Sequence, residues 1–141
     1  MMLLALFAGP IPGPRSTAGA VAVTVTGIRA SQHGTLLVAL YRGASSWLTL
    51  DSAVAVRRLP VTTDSVVVLF DEVSPDTGYA IAVIHDRNDN DRMDMRWFPW
   101  PKPREGAGVS GNHVRMGKPE FSRARFAVGG GQVGLTIRMR Y

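Results

Sequence analysis

Cysteine is missing from all 141 residues. No disulfide can staple the fold, no thiol can serve as a nucleophile, and no cysteine-ligated zinc or iron–sulfur centre can form. Also missing is any run of five basic residues, although Lys and Arg outnumber Asp and Glu by 16 to 11. A net charge of +5 scattered singly along the chain describes a solvated surface rather than a nucleic-acid footprint, so no nucleic-acid partner is expected. No serine stands in a nucleophile-elbow context, and no glycine-rich phosphate loop follows a strand. The apolar opening, Met1 to Ala8, is far too short to span a bilayer.

What is present points to one small β-domain. At 45% hydrophobic residues the chain can bury a core, and 141 residues suffice for one domain but not two. Fifteen Gly and nine Pro favour short strands and turns over long helices. Residues 1–20 read as the end of a secretory signal peptide without its basic n-region, with small residues for cleavage after Ala18 or Ala20, the alternative being a disordered N-terminal tail. The expected location is therefore exported, periplasmic or secreted, with a single domain over 21–141.

From Val21 to Thr26, valines alternate with smaller residues, the period of a half-buried strand. Ser31–Gly34 is a turn, and Thr35 to Tyr41 returns. Gly43 to Leu50 fits either a helical turn or an edge loop. Ala53 to Arg58 and Ser65 to Phe70 are short strands, and Asp71 to Thr77 reads as a loop. Tyr79 to His85 is apolar on both faces: Tyr79, Ile81 and Val83 on one, Ala80, Ala82 and Ile84 on the other. Such a strand is expected to be central and covered twice. The density of Pro and Gly from Met95 to Phe121 predicts a long irregular loop with neither helix nor ladder. Ala124 to Val128 and Val133 to Tyr141 flank a Gly129–Gly131 turn, with Val133, Leu135, Ile137 and Met139 inward. About seven strands of this kind predict an all-β antiparallel sandwich.

The chemically pointed stretch follows the central strand. Asp86, Asn88, Asn90 and Asp94 occupy positions 1, 3, 5 and 9 of a polar loop, the order in which hard-cation loops turn alternate oxygens inward. The carbonyl of Arg92 adds a fifth donor. Position 12, where a bidentate acid usually closes the shell, is Trp97, so Glu105 is the best remaining donor, with Asp71 and Asp76 behind it. Weak calcium binding is expected, against the alternative of a metal-free Asx-rich turn. Trp97, Phe98 and Trp100 stand between prolines beside Lys102 and Arg104. They suit either a lid over one end of the sandwich or a surface for a ligand or envelope partner. His85 is expected to be structural, hydrogen-bonding the loop backbone. A carbohydrate-binding module or hydrolase using the acidic loop with Trp97 and Trp100 is the alternative to a non-enzymatic domain.

Several motifs stand in a fixed order: Gly78-Tyr-Ala-Ile-Ala-Val83, His85-Asp86-x-Asn88-x-Asn90-x-x-x-Asp94, Pro103-x-Glu105-Gly106-x-Gly108-x-Ser110-x-Asn112 and Pro119-x-Phe121-x-x-Ala124-x-Phe126. Together they resemble a bacterial family of small exported domains of unknown function. The resemblance spans roughly 21–141 and implies an immunoglobulin- or transthyretin-like sandwich with no assigned activity. The chain departs from the family's pattern at Asp91, where Gly is usual, and over Met95 to Pro101.

Overall fold

A computed structural model describes residues 18–87, 106–112 and 119–141. Among the described residues, eight strands form two sheets. They are β1 (Gly19–Thr26), β2 (Thr35–Arg42), β3 (Ala55–Pro60), β4 (Val66–Val73), β5 (Asp76–Asp86), β6 (Ala107–Val109), β7 (Phe126–Val128) and β8 (Gln132–Arg138). One helical turn, α1 (Phe121–Ala124), precedes β7. The smaller sheet runs β4-β1-β8 and the larger β3-β2-β5-β6, with β7 also on β5. This is the expected all-β sandwich.

β5 is the organising strand. Antiparallel β2 flanks it from Thr35↔Asp86 to Arg42↔Tyr79. Its other edge is shared: β6 takes Ala82 to Ile84, and β7 takes Asp76 and Tyr79. Both faces are covered, as the apolar pattern requires. Tyr79, Ile81 and Val83 join the inter-sheet core with Val21, Val23, Val25, Leu36, Val38, Phe70 and Ile137. Each β1 valine is wholly buried, a contribution of about 1.5–3 kcal/mol apiece.

The opposite face carries small residues, Ala39, Ala80 and Ala82, and these leave room for a second cluster built on Tyr41, Trp47 and Ala124. Trp47 stands edge-on to Tyr41 (5.4 Å) and Phe121 (5.8 Å), and its Nε1–H donates to the Pro119 carbonyl at 2.8 Å. Two 3-10 turns, Ala44–Ser46 and Leu50–Ser52, carry Trp47 into place. Ser110 ties this layer to β5: its Oγ accepts from the Ile81 N–H (3.0 Å) and donates to the Ala124 carbonyl (2.6 Å).

Several boundaries differ from expectation. The irregular region contains β6, because Ala107, Gly108 and Val109 include no proline and can complete a ladder. Ala124 closes a helical turn, so the strand begins only at Phe126. β4 and β5 extend into the expected 71–77 loop, leaving Ser74 and Pro75 between them; the Tyr79 hydroxyl donates to the Ser74 carbonyl at 2.6 Å and secures that corner. Gly129–Gly131 is a corner between sheets rather than a hairpin, since β7 pairs with β5 while β8 pairs with β1. That crossing makes β8 parallel to β1, the one parallel pair among the described strands. β8 ends at Arg138, although Arg140 still bridges Ala107.

The Tyr41 hydroxyl is buried and has no hydrogen-bond partner among the described residues. Burial pushes its pKa up to about 12. The unfolded chain therefore ionises first as pH rises, so this part of the stability is whole below pH ~10 and lost on approach to 12. Tyr41→Phe removes an orphaned hydroxyl while keeping the ring. It is expected to raise stability by about 1 kcal/mol at neutral pH and by more at pH 11, read from urea unfolding.

Candidate functional site

β5 runs out at His85 and Asp86, both wholly buried. Three other segments converge there. The turn after β1 passes beneath, with His33 (φ 55°) and Gly34 (φ 80°) both at positive φ. The chain re-enters at Gly106, whose carbonyl accepts from the His85 N–H at 2.9 Å. The C-terminal segment arrives through paired backbone hydrogen bonds between Ala107 and Arg140, each 2.8 Å.

The His85 ring locks these segments together. Its Nε2 lies against the His33 carbonyl, which can only accept, so Nε2 carries the proton. In the neutral ring Nδ1 is then an acceptor, and the Tyr141 hydroxyl donates to it at 2.7 Å. The same hydroxyl accepts from the Arg29 N–H at 2.9 Å. Donors and acceptors thus run in one sense from Arg29 through Tyr141 and His85 to His33. The rings of His85 and Tyr141 meet edge-on, 5.7 Å apart, and the Arg29 guanidinium sits 4.4 Å from the Tyr141 centroid. Gly106 packs so closely on the Tyr141 ring that any Cβ there would overlap it. Burial raises the Tyr141 pKa, opposed in part by the Arg29 N–H and the charges of Arg29 and Arg87.

With both nitrogens engaged, His85 is a fastener, the structural role expected of it. Asp86 lies opposite Thr35 at the strand's end. Of the predicted ligands it is described, as are the weaker candidates Asp71 and Asp76; Asn88, Asn90, Arg92, Asp94, Trp97, Phe98, Trp100 and Glu105 lie outside the described residues. Asp76 cannot complete a shell around Asp86. The two stand at opposite ends of β5, roughly 30 Å apart along the strand. Asp76 is instead bonded to Arg42 at 2.6 Å, and the Arg42 bond holds its carboxyl below the usual range. Among the described residues, no three His, Asp or Glu side chains gather into a group able to hold a metal.

Sequence reasoning missed Tyr141 and Arg29 as partners of His85. One signal was available: Tyr141 continues the odd-numbered inward series of Val133, Leu135, Ile137 and Met139. The pairing itself spans 56 residues and leaves no local trace.

These features define a small all-β sandwich domain whose organising strand ends in a buried histidine–tyrosine clasp. Residues 23–136 match the family described as an uncharacterized protein conserved in bacteria (DUF2141), and the chain belongs to that family. No curated protein and no solved structure matches the chain at a significant level. Among the described residues no helix is long and apolar enough to cross a membrane.

Proposed function

We propose that this is an exported, non-enzymatic β-sandwich whose loop after β5 binds calcium weakly and presents its aromatic residues to an envelope partner. Asp86, Asn88, Asn90, the Arg92 carbonyl and Asp94 supply the oxygens, with Glu105 closing the shell. Trp97, Phe98 and Trp100 form the presented surface. The observation that carries this reading is the clasp at the loop's two ends. Asp86 is held out of solvent one residue from His85, and the His85 N–H bonds the carbonyl of Gly106, the residue bonded to Glu105. A loop whose ends are already tied has less chain entropy to lose when an ion gathers its oxygens. Arg29 and Arg87, whose charges both reach Tyr141, set positive charge near the site and favour weak affinity. Export fits cleavage after Ala18 better than after Ala20, because β1 begins at Gly19 and Ala20 pairs with Gln132.

At a Kd of about 0.1–1 mM, 1 mM calcium stabilises the fold by about 0.4–1.4 kcal/mol. The expected rise in Tm over chelator is about 1–6 °C for a domain of this size. Asp86→Asn and, separately, Asp94→Asn should abolish the difference. Melting curves that coincide with calcium and with chelator in the wild type would overturn the proposal.

A further inference from the structure

An unpaired edge strand offers a row of backbone N–H and C=O groups to any extended chain that arrives. Most such edges among the described strands are blocked. The free edge of β8 is occupied by the Asn112 side chain, whose Nδ2 donates to the Thr136 carbonyl (2.9 Å) and whose Oδ1 accepts from the Arg138 N–H (2.8 Å). β6 and β7 are three residues each, and β6 is bridged at Ala107 to Arg140. β3 carries Arg57, Arg58 and Pro60, and cations with a proline guard an edge against strand pairing.

β4 has no such guard. It pairs with β1 from Val66↔Val25 to Phe70↔Val21, and its other edge pairs with no described strand. Those residues read Val-Val-Val-Leu-Phe, without proline, glycine or charge. The ladder stays regular through them and shifts register only beyond Phe70. Val66, Val68 and Phe70 pack into the inter-sheet core, while Val67 and Leu69, 64% and 50% exposed, stand on the outer face. Their neighbours on that face are small: Thr24 and Ala22 on β1, then Thr136 and Gly134 on β8.

Charge lies at the two ends of this edge. Asp64 precedes it, Asp71 and Glu72 follow it, and all three are exposed. Arg57 lies 4.8 Å from the centroid of the Phe70 ring, and that ring belongs to the inter-sheet core, so this cation sits beneath the sheet rather than along its rim. A second copy is a poor match for the edge. Antiparallel self-pairing centred on Val68 would set Asp64 against Glu72 and Ser65 against Asp71, and like charges directly opposite destabilise a pair. The complement is an extended segment with β-branched or apolar residues in its middle and Lys or Arg at both ends. We propose that β4 is a docking edge for such a segment of a partner protein, which adds a further strand to the β4-β1-β8 sheet. Main-chain hydrogen bonds along Val66 to Phe70 supply affinity, and the acidic ends select the partner. The edge does not depend on the calcium loop and needs no metal.

The test uses the full ¹⁵N-labelled chain in metal-free buffer, titrated with acetylated and amidated peptides of sequence KKVTVTVKK, EEVTVTVEE and KKVTPTVKK. KKVTVTVKK should shift the amides of Val66 to Phe70 saturably and bind about tenfold tighter than EEVTVTVEE. Because the chain as a whole carries +5, a preference for lysine ends has to come from the local acids. KKVTPTVKK should fail to bind, since proline cannot donate to a ladder. Leu69→Lys, at a half-exposed position, should weaken KKVTVTVKK about tenfold while the spectrum remains folded; Val67→Lys serves the same purpose if that variant unfolds. Asp64→Asn combined with Asp71→Asn should narrow the gap between the lysine- and glutamate-ended peptides. Absence of saturable shifts, shifts centred elsewhere, or equal binding of KKVTPTVKK would overturn the proposal. So would tighter binding of EEVTVTVEE, which would hand the edge to Arg57. Concentration-dependent shifts at Val66 to Phe70 without peptide would also overturn it, by making the occupant a second copy.

Discussion

Gly34→Ala is expected to destabilise the protein by about 2–5 kcal/mol, a large share of the stability of a domain this size. Two costs add. At φ 80° the backbone is left-handed, which costs a residue with a Cβ about 1–2 kcal/mol. The new Cβ would also overlap the Asp86 carbonyl and stand 2.7 Å from the Arg87 Cα. Those are backbone atoms at the end of the central strand, and they cannot swing aside as a side-chain tip could. Relieving such overpacking typically costs a further 1–3 kcal/mol or so. Gly43 separates the two contributions, because its φ is 83° but nothing lies within 4 Å of its Cβ position. Gly43 stands at ψ 152°, a region open essentially to glycine alone, so Gly43→Ala reports backbone strain without a clash and should cost about 1–3 kcal/mol in the same urea titration. Equal losses would mean that the turn and the strand end are not in close contact. The displaced atoms belong to Asp86 and Arg87, so Gly34→Ala should also shrink any calcium-dependent rise in Tm, whereas Gly43→Ala should leave it intact.

What could be read from the residues follows from where period carries information. β5 was legible because an apolar run on both faces has one economical home, between two coverings. The inward series from Val133 was equally plain, since alternation marks a face. Alternation says nothing about direction or partner, however, and the parallel union of β8 with β1 had no signature. It arises because three glycines turn the chain out of one sheet and into the other. β6 was hidden for a different reason. Three residues set among prolines and glycines carry no period, and Gly108 is there for fit: a Cβ on it would stand 2.7 Å from the Ile137 methyl. Trp47 was ambiguous because 3-10 turns are too short to show a pattern. At the site, the structural role of His85 could be read locally, but the histidine's partners come from turns and termini distant in sequence. Hydrogen bonds between buried groups are chosen by the fold, after the apolar pattern has made it.

Breaking the clasp should show that its members act together. His85→Leu keeps much of the ring's volume but leaves the His33 carbonyl and the Tyr141 hydroxyl without their partner, and a loss of about 3–4 kcal/mol is expected. Tyr141→Phe removes one hydroxyl, strands His85 Nδ1 and the Arg29 N–H, and should cost about 1–2 kcal/mol. If the hydrogen bonds reinforce one another, the double variant should be less destabilised than the sum by about 1 kcal/mol or more. Additive losses would mean independent contacts and no clasp. A second readout does not depend on packing. The raised pKa of folded Tyr141 means that the unfolded chain gives up its proton first, so the tyrosine's contribution is complete below pH ~10 and fades as pH climbs through the folded value. Tyr141→Phe should therefore lose less stability than wild type between pH 9 and 11. Because Gly106 rests on this ring and its carbonyl on the His85 N–H, both single variants should also free the 106–109 amides to exchange faster with solvent. Protection there that survives His85→Leu would show that β6 is held by its ladder alone, and that the histidine fastens the turn but not the returning end of the loop.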